Sequence, residues 1–327
     1  MCQNQISLDA VLTESWAKMR QLLFKPFRFN YWLILGFCAW MTILASEMGN
    51  VYSHIFRYTT NSTIKTDVII PSTQPAGTPV GQQLWQEITR GITMNMLYFG
   101  VLMAIVVIIS LILYYFRCRF EFIFLANLMR NTDEIAKPWR EFKKQGNSYF
   151  WWTLLIGLIM LSVNLAFAFG TIFNVAPWLL EIVKNRNFTL PGSVFWAWVG
   201  AWIIVALIMS YYFLFLYQLL IPIMYRDNLT FKAGLRVMNK LIFERFGICF
   251  LYYLVLMIVL FAWGLVFVAA ICVTCGLFLV LMMLPYVNAV VLLPFFVFYR
   301  LIGVNFLEKL DPRMPPTGEE HASTESL

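Results

Sequence analysis

The chain has 327 residues, of which 61% are apolar and only 13% are charged. Soluble domains use about 25% charged residues, so this composition excludes an ordinary water-soluble fold and predicts a membrane protein. The net charge of +7 does not indicate nucleic-acid binding, because no basic patch lies apart from the apolar segments. The first thirty residues are mixed polar and basic, so we expect no cleaved signal peptide.

The first element predicted along the chain is a short amphipathic helix. Trp16 and Met19 belong to an apolar stripe at helical spacing that begins at Leu12 and ends at Leu23. Pro26 should end this helix. The aromatic residues that follow it are typical of the depth at which lipid headgroups lie.

Six apolar segments are long enough to cross about 30 Å of hydrocarbon, which takes about 20 helical residues. They are residues 31–49, 92–116, 150–176 and 195–225, and two crossings obtained by splitting region 246–303 near residues 272–276. Pro285 and Pro294 should kink the sixth crossing. The predicted fold class is therefore all-α, a polytopic membrane bundle of six transmembrane helices.

An apolar helical stripe also precedes the third and the fifth segments, followed each time by aromatic residues. We therefore predict three repeat units, at about residues 7–116, 131–225 and 229–303, each a cytoplasmic amphipathic helix followed by a transmembrane hairpin. The matched positions form a predicted membrane-interface set: Trp16, Met19, Trp139, Phe142, Leu235 and Met238. Residues 1–311 are expected to form one membrane domain, and residues 312–327 have the composition of a disordered tail.

The cations are distributed unevenly between the two sides of this arrangement. The segments that include the two termini and the loops around residues 117–149 and 225–245 hold 19 of them, whereas the two opposite loops hold five. Because cytoplasmic loops retain Lys and Arg, we expect a multi-pass protein of the cell membrane with both termini in the cytoplasm.

No pattern in the chain indicates catalysis or a bound metal. Only two histidines, His54 and His321, are present, so a histidine metal site or a Ser-His-Asp triad is not available. The CxxC at residues 272–275 lacks a second ligand pair. Glu121 and Arg300 lie only at the edges of predicted spans, so we expect no coupling to a proton or sodium gradient. We predict no catalytic, cofactor or metal site.

One segment carries a resemblance to known proteins. Residues 219–240, "LLIPIMYRDNLTFKAGLRVMNK", end a span in proline and Tyr-Arg and then begin a capped basic helix. This pattern resembles uncharacterised prokaryotic six-span membrane proteins with repeated interfacial helices, akin to the membrane domain attached to some glycerophosphodiesterases. The resemblance implies a repeat architecture. It implies no phosphodiesterase activity, because the chain contains no hydrolase domain.

Two roles for the amphipathic helices remain open at this point. They either lie on anionic lipid, which attracts their lysines and arginines, or pack on one another as a cytoplasmic layer. The leading hypothesis is a non-enzymatic membrane protein that organises the envelope or its lipids, with membrane lipids as partners and no nucleic acid. The alternative is a permease for an apolar or lipid-like solute. A membrane enzyme, with Glu121, Asp133, Glu134 or Asp227 as acids, is third.

Overall fold

The computed structural model describes residues 7–44, 79–185, 192–284 and 286–311, and gives only the backbone for residues 79–99, 174–177 and 179–185. These residues are helical or in turns, and none of them forms a strand. The tail expected at residues 312–327 lies outside them, as does most of the first predicted loop. The predicted all-helical class is therefore confirmed for the described part of the chain.

Twelve α-helices and one π-helical turn follow in chain order. They are α1 (Leu8–Phe24), α2 (Phe29–Leu44), α3 (Pro79–Arg130), α4 (Ala136–Glu141), α5 (Lys143–Asn185), α6 (Ser193–Phe215), the π turn (Leu216–Leu220), α7 (Ile221–Arg226), α8 (Phe231–Glu244), α9 (Phe246–Val273), α10 (Leu277–Met282), α11 (Val287–Val291) and α12 (Leu293–Leu310).

Four helical stretches in the described residues are long and apolar enough to cross a membrane: Gly100–Arg130, Lys143–Phe173, Ser193–Arg226 and Phe246–Val273. Only between 0% and 11% of the residues in their most apolar windows are buried within the protein. Apolar surface of this extent is unfavourable in water, so a bilayer is the environment that these helices fit.

The remaining two predicted crossings take a different form. Helix α2 is a shorter apolar helix that is described as far as Leu44. The return from α9 is divided into α10, α11 and α12, where the sequence predicted one kinked span. Tyr286 has a φ of 69°, a left-handed conformation that a right-handed helix cannot continue through. Pro294 lies in the first turn of α12, a position where its missing N–H costs no hydrogen bond.

The chain divides into two units, one with α1, most of α2, the end of α3 and α4 to α12, and the other with the end of α2 and the beginning of α3. The core of the larger unit is built around α12, twelve of whose residues are buried. Helices α1, α7 and α11 and the π turn pack against α12, and Tyr252 of α9 stacks on Phe306 with ring centroids 3.8 Å apart. A helix buried on all sides belongs to an interior, so α12 is the centre of this unit.

Candidate functional site

A buried ion pair lies at the centre of the larger unit. Glu121, near the end of α3, forms a salt bridge with Arg300 of α12 through its Oε2 and the arginine Nη2. Arg300 has no exposed surface, and Glu121 is 2% exposed. A buried charge is tolerated only when it is paired and hydrogen-bonded, so each of these residues explains the presence of the other.

The π turn supplies the remaining partners of Arg300. Its Nη1 donates to the carbonyl oxygen of Tyr217 at 2.8 Å, and its guanidinium lies 4.4 Å from the centroid of the Tyr217 ring. Hydrogen bonds in a π turn run from i to i+5, and such turns occur frequently at functional sites. The π turn therefore lies at the position where an arginine from another helix binds a carbonyl oxygen of the span.

Gln218 of the π turn extends this polar cluster. Its Nε2 donates to the carbonyl oxygen of Tyr299 at 3.2 Å, while its buried Oε1 has no hydrogen-bond partner among the described residues. The facing residue of α12 is Gly303, where a Cβ would lie 2.7 Å from the Gln218 carbonyl oxygen. A glycine is needed at this position because α12 and the π turn approach too closely for any side chain.

A second group of polar contacts fixes α1 along α12. Asn305 donates to the Ser15 hydroxyl oxygen at 2.7 Å and accepts a hydrogen bond from Lys18, also at 2.7 Å. Lys18 additionally pairs with Glu308 at 3.3 Å, and Lys309 of α12 pairs with Glu14 at 2.8 Å. Contacts to the buried Ser15 and Asn305 determine which face of α1 points inward, because buried polar groups require partners.

The structure separates the six predicted interface residues into two groups. Met19, Phe142 and Met238 are buried within the protein, so these side chains contact protein. Trp139 and Leu235 are half-buried, whereas Trp16 is 46% exposed. The Trp16 ring makes an edge contact with Phe298, with centroids 5.5 Å apart, and the Trp139 ring lies 3.9 Å from the Arg119 guanidinium.

Large aromatic side chains are exposed where a surface helix leads into the next apolar helix. We call them the junction aromatics: Phe24, Phe27 and Phe29 between α1 and α2, Trp151 at the start of α5, and Phe243 and Phe246 between α8 and α9. Exposed cations lie beside them in the sequence, Lys25, Lys144 and Arg245. Adjacent rings and cations are typical of a membrane–water interface.

The four acidic residues considered for catalysis lie in different environments. Glu121 is paired with Arg300, Asp227 bonds the side chain of its neighbour Arg226 at 2.7 Å, and Asp133 and Glu134 are exposed. In α4, Glu141 accepts two hydrogen bonds from Arg130, which lower the pKa of its carboxyl. Three or more metal-ligating side chains come together nowhere in the described residues.

An apolar groove, here called the α9 groove, lies between α9 and the broken return path. It has a volume of about 420 Å³ and is lined on one side by Leu260, Trp263, Gly264, Val266, Phe267 and Ala270, and on the other by Phe278, Val291, Leu292 and Phe295. Two edge contacts join its walls: Trp263 with Phe295 and Phe267 with Phe278, with centroids 5.1 and 5.3 Å apart.

Sequence reasoning missed the ion pair and the role of Gln218, although the sequence contains a signal for both. The tripeptide YYF stands at residues 114–116 and 211–213, and the seventh residue after its first tyrosine is Glu121 in one case and Gln218 in the other. The similarity seen between "PIMYR" and "PFFVFYR" led elsewhere. Arg226 pairs with Asp311 at 3.2 Å, in surroundings unlike those of Arg300.

Comparisons with known proteins give one result. Neither the curated proteins nor the solved structures contain a significant match to the chain. A family model described as a family of unknown function, DUF7544, matches residues 8–313. This range includes every helix from α1 to α12, the buried ion pair, the junction aromatics and the α9 groove. The chain belongs to the family of unknown function DUF7544.

Proposed function

We propose that this protein is a non-enzymatic protein of the cell membrane that organises envelope lipids through three interfacial anchors. The anchors are the places where α1, α4 and α8 lead into α2, α5 and α9. The observation that carries the proposal is the exposure of the junction aromatics beside cations at all three places. Rings of this kind with neighbouring lysine or arginine bind the headgroup region of anionic lipid.

The energies involved are large enough for stable attachment to one depth. Burial of one large apolar side chain contributes about 1.5–3 kcal/mol, and each nearby cation adds about 1 kcal/mol on anionic lipid. The protein-facing contacts of Met19, Phe142 and Met238 support the same model, because they hold the surface helices in place. Lipid contact is then made by the junction aromatics and Trp16.

The full proposal has six crossings, made of three repeat units, with both termini in the cytoplasm and no ion coupling. Support for the repeat comes from two of the units. Asn131 and Asn228 each stand 17 residues after the first tyrosine of a YYF tripeptide, and both adopt a left-handed conformation, with φ of 51° and 53°. Few non-glycine residues adopt positive φ, so two such residues in register favour a common origin.

Spin-label depth measurements on the full-length protein in bilayers test the anchors. In a variant without cysteines, a nitroxide replaces Trp151, which is 67% exposed, or Trp202 in the middle of α6 as the matched control. We expect the label at position 151 to collide both with a polar nickel chelate and with oxygen, and the label at position 202 to collide with oxygen alone. Equal exclusion of the chelate at both positions would remove the anchor model.

The α9 groove favours one further candidate, a permease for a lipid-like solute. Such a permease would not need intramembrane charges, and the groove is apolar. Proteoliposomes that contain a fluorescent phospholipid distinguish the two functions. A lipid-organising protein leaves the slow movement of the probe between leaflets unchanged, whereas a permease accelerates it.

A further inference from the structure

The α9 groove has the size and chemistry of a ligand site. Binding sites for small molecules have volumes of roughly 300–1,000 Å³ and mostly apolar linings, and this groove measures about 420 Å³. Its lining residues carry no charge, and the indole N–H of Trp263 is the single polar side-chain group among them. A ligand held there is therefore recognised by its apolar surface.

The gap exists because the return path is not a continuous helix. Helix α10 ends at Met282, α11 begins at Val287, and α12 begins at Leu293, so this side does not present one straight ridge of side chains to α9. Facing helices fill the space between them only when ridges fit into grooves along their length. Gly264 adds to the gap, since a Cβ built there would meet no atom within 4 Å.

The position of the groove along α9 indicates its occupant. Its lining residues run from Leu260 to Ala270, about 15 Å of helix at 1.5 Å per residue. Half of a hydrocarbon core of about 30 Å has the same thickness. Leu260 also lies about 21 Å along α9 from Phe246, beyond the middle of the bilayer. The groove therefore has the length and depth of one acyl chain in the leaflet at the α9–α10 turn.

We infer that the α9 groove binds one acyl chain of a phospholipid from the leaflet at the α9–α10 turn, and holds it longer than the lipids around the bundle. This inference rests on the proposed function, since it requires α9 to cross the bilayer. Water is a poor occupant, because apolar cavities remain dry. An empty groove would forfeit dispersion contacts on both walls. An acyl chain supplies those contacts and is the molecule that surrounds α9 in a membrane.

Photolabelling in vesicles tests the inference. The full-length protein is reconstituted in phosphatidylglycerol and phosphatidylethanolamine that contain a trace of phospholipid with a diazirine on one acyl chain. After unlabelled lipid is added in excess, the sample is irradiated and the adducts are located by peptide mass spectrometry. We expect retained adducts on Trp263 and Phe267, while adducts on Phe261 and Leu265, the exposed face of α9, decrease with the dilution.

Two glycine substitutions on α9 provide a matched pair. Gly264→Leu fills the floor of the groove, whereas Gly247→Leu adds the same side chain at a position that is also open, outside the groove. We expect Gly264→Leu to lower the retained adducts at least about tenfold, a loss of one decade in affinity. Gly247→Leu should leave them unchanged. Adducts on Phe261 should be equal in both variants, which shows that α9 is folded and in the bilayer.

Two outcomes would overturn the inference. If adducts on the groove and on the exposed face decrease together on dilution, the groove holds only exchanging lipid. If groove residues instead cross-link to a second copy of the chain, that copy covers the groove. Failure of the interfacial anchors is distinguished from both, because the label at position 151 would then lie at the wrong depth while adducts on Phe261 still report a membrane-embedded α9.

Discussion

Arg300 is a charged side chain without exposed surface, and its surroundings explain how the fold accommodates it. Glu121 neutralises the charge, and the Tyr217 carbonyl oxygen and ring bind the rest of the guanidinium. Removing two charges from water costs several kcal/mol per ion, which their attraction offsets only when the geometry is good. The pair is therefore a device that makes α3, the π turn and α12 meet in one arrangement.

Substitution of one partner of this pair should be more harmful than substitution of both. Glu121→Leu or Arg300→Met alone leaves a buried charge without its partner and should cost about 3–5 kcal/mol of unfolding free energy. The double variant should recover much of this loss, since an apolar pair of similar volume is often neutral. Thermal and denaturant unfolding of the full chain in mild detergent measures all three variants.

The control for this cycle is the exposed pair Lys240–Glu244, whose N–O distance is 3.8 Å. Loss of one exposed partner should change stability by no more than about 1 kcal/mol. If the double variant at Glu121 and Arg300 loses as much as the two single variants added together, the charges do not interact. The ion pair would then have no role in joining the three elements.

At the scale of elements, α1 shows how a surface helix chooses its inward face. The apolar stripe in the sequence predicts that Trp16 and Met19 share one orientation, but the helix buries Val11, Ser15, Met19 and Leu23. The face is rotated toward Ser15 because Asn305 of α12 donates to its hydroxyl oxygen. Trp16 is thereby left at the edge of the contact, where one side of its ring meets Phe298.

Two substitutions on α1 should consequently have different effects. Met19→Ala removes a buried side chain and should lower the unfolding free energy by about 2–5 kcal/mol in detergent. Trp16→Ser should cost much less there, and should instead weaken contact with anionic lipid. Unfolding in detergent and flotation with anionic vesicles of the detergent-solubilised variants measure the two effects. Equal destabilisation by both substitutions would show that Trp16 faces protein.

At the scale of the whole molecule, the apolar helices and the cations indicate one arrangement in the membrane. Four helices in the described residues are long enough to cross it, and 19 of the 24 cations fall in segments expected on one side. Positive charges near short loops are retained in the cytoplasm. The same side also contains the three junctions with exposed aromatics.

Reporter fusions check this topology directly. Fusions after Lys144 and Lys240 and at the C-terminus should behave as cytoplasmic, and fusions after Thr78 and Asn187 as exported. The last two positions lie outside the described residues, so this experiment also tests the two crossings that the structure leaves open. A cytoplasmic signal at Thr78 would contradict six crossings, because residues 31–49 could then not span the bilayer.

The sequence by itself determined what depends on composition and short-range periodicity. The apolar runs fix the helical class and the long spans, because only satisfied backbone is tolerated in hydrocarbon, and the aromatic residues marked the junctions now seen to be exposed. The lipid role of these junctions and the repeat remain predictions. The six-residue interface set was less accurate in detail, since burial of Met19, Phe142 and Met238 depends on neighbours far along the chain.

Only the tertiary structure decided which distant residues meet. Glu121 and Arg300 are 179 residues apart, and no local pattern indicates that an acid at the end of one helix neutralises an arginine of another. The close approach of Gly303 to Gln218 and the gap above Gly264 are also properties of helix packing. Helix propensity and hydrophobic period act over a few turns, whereas pairing of buried charges and filling of space are decided where whole helices come into contact.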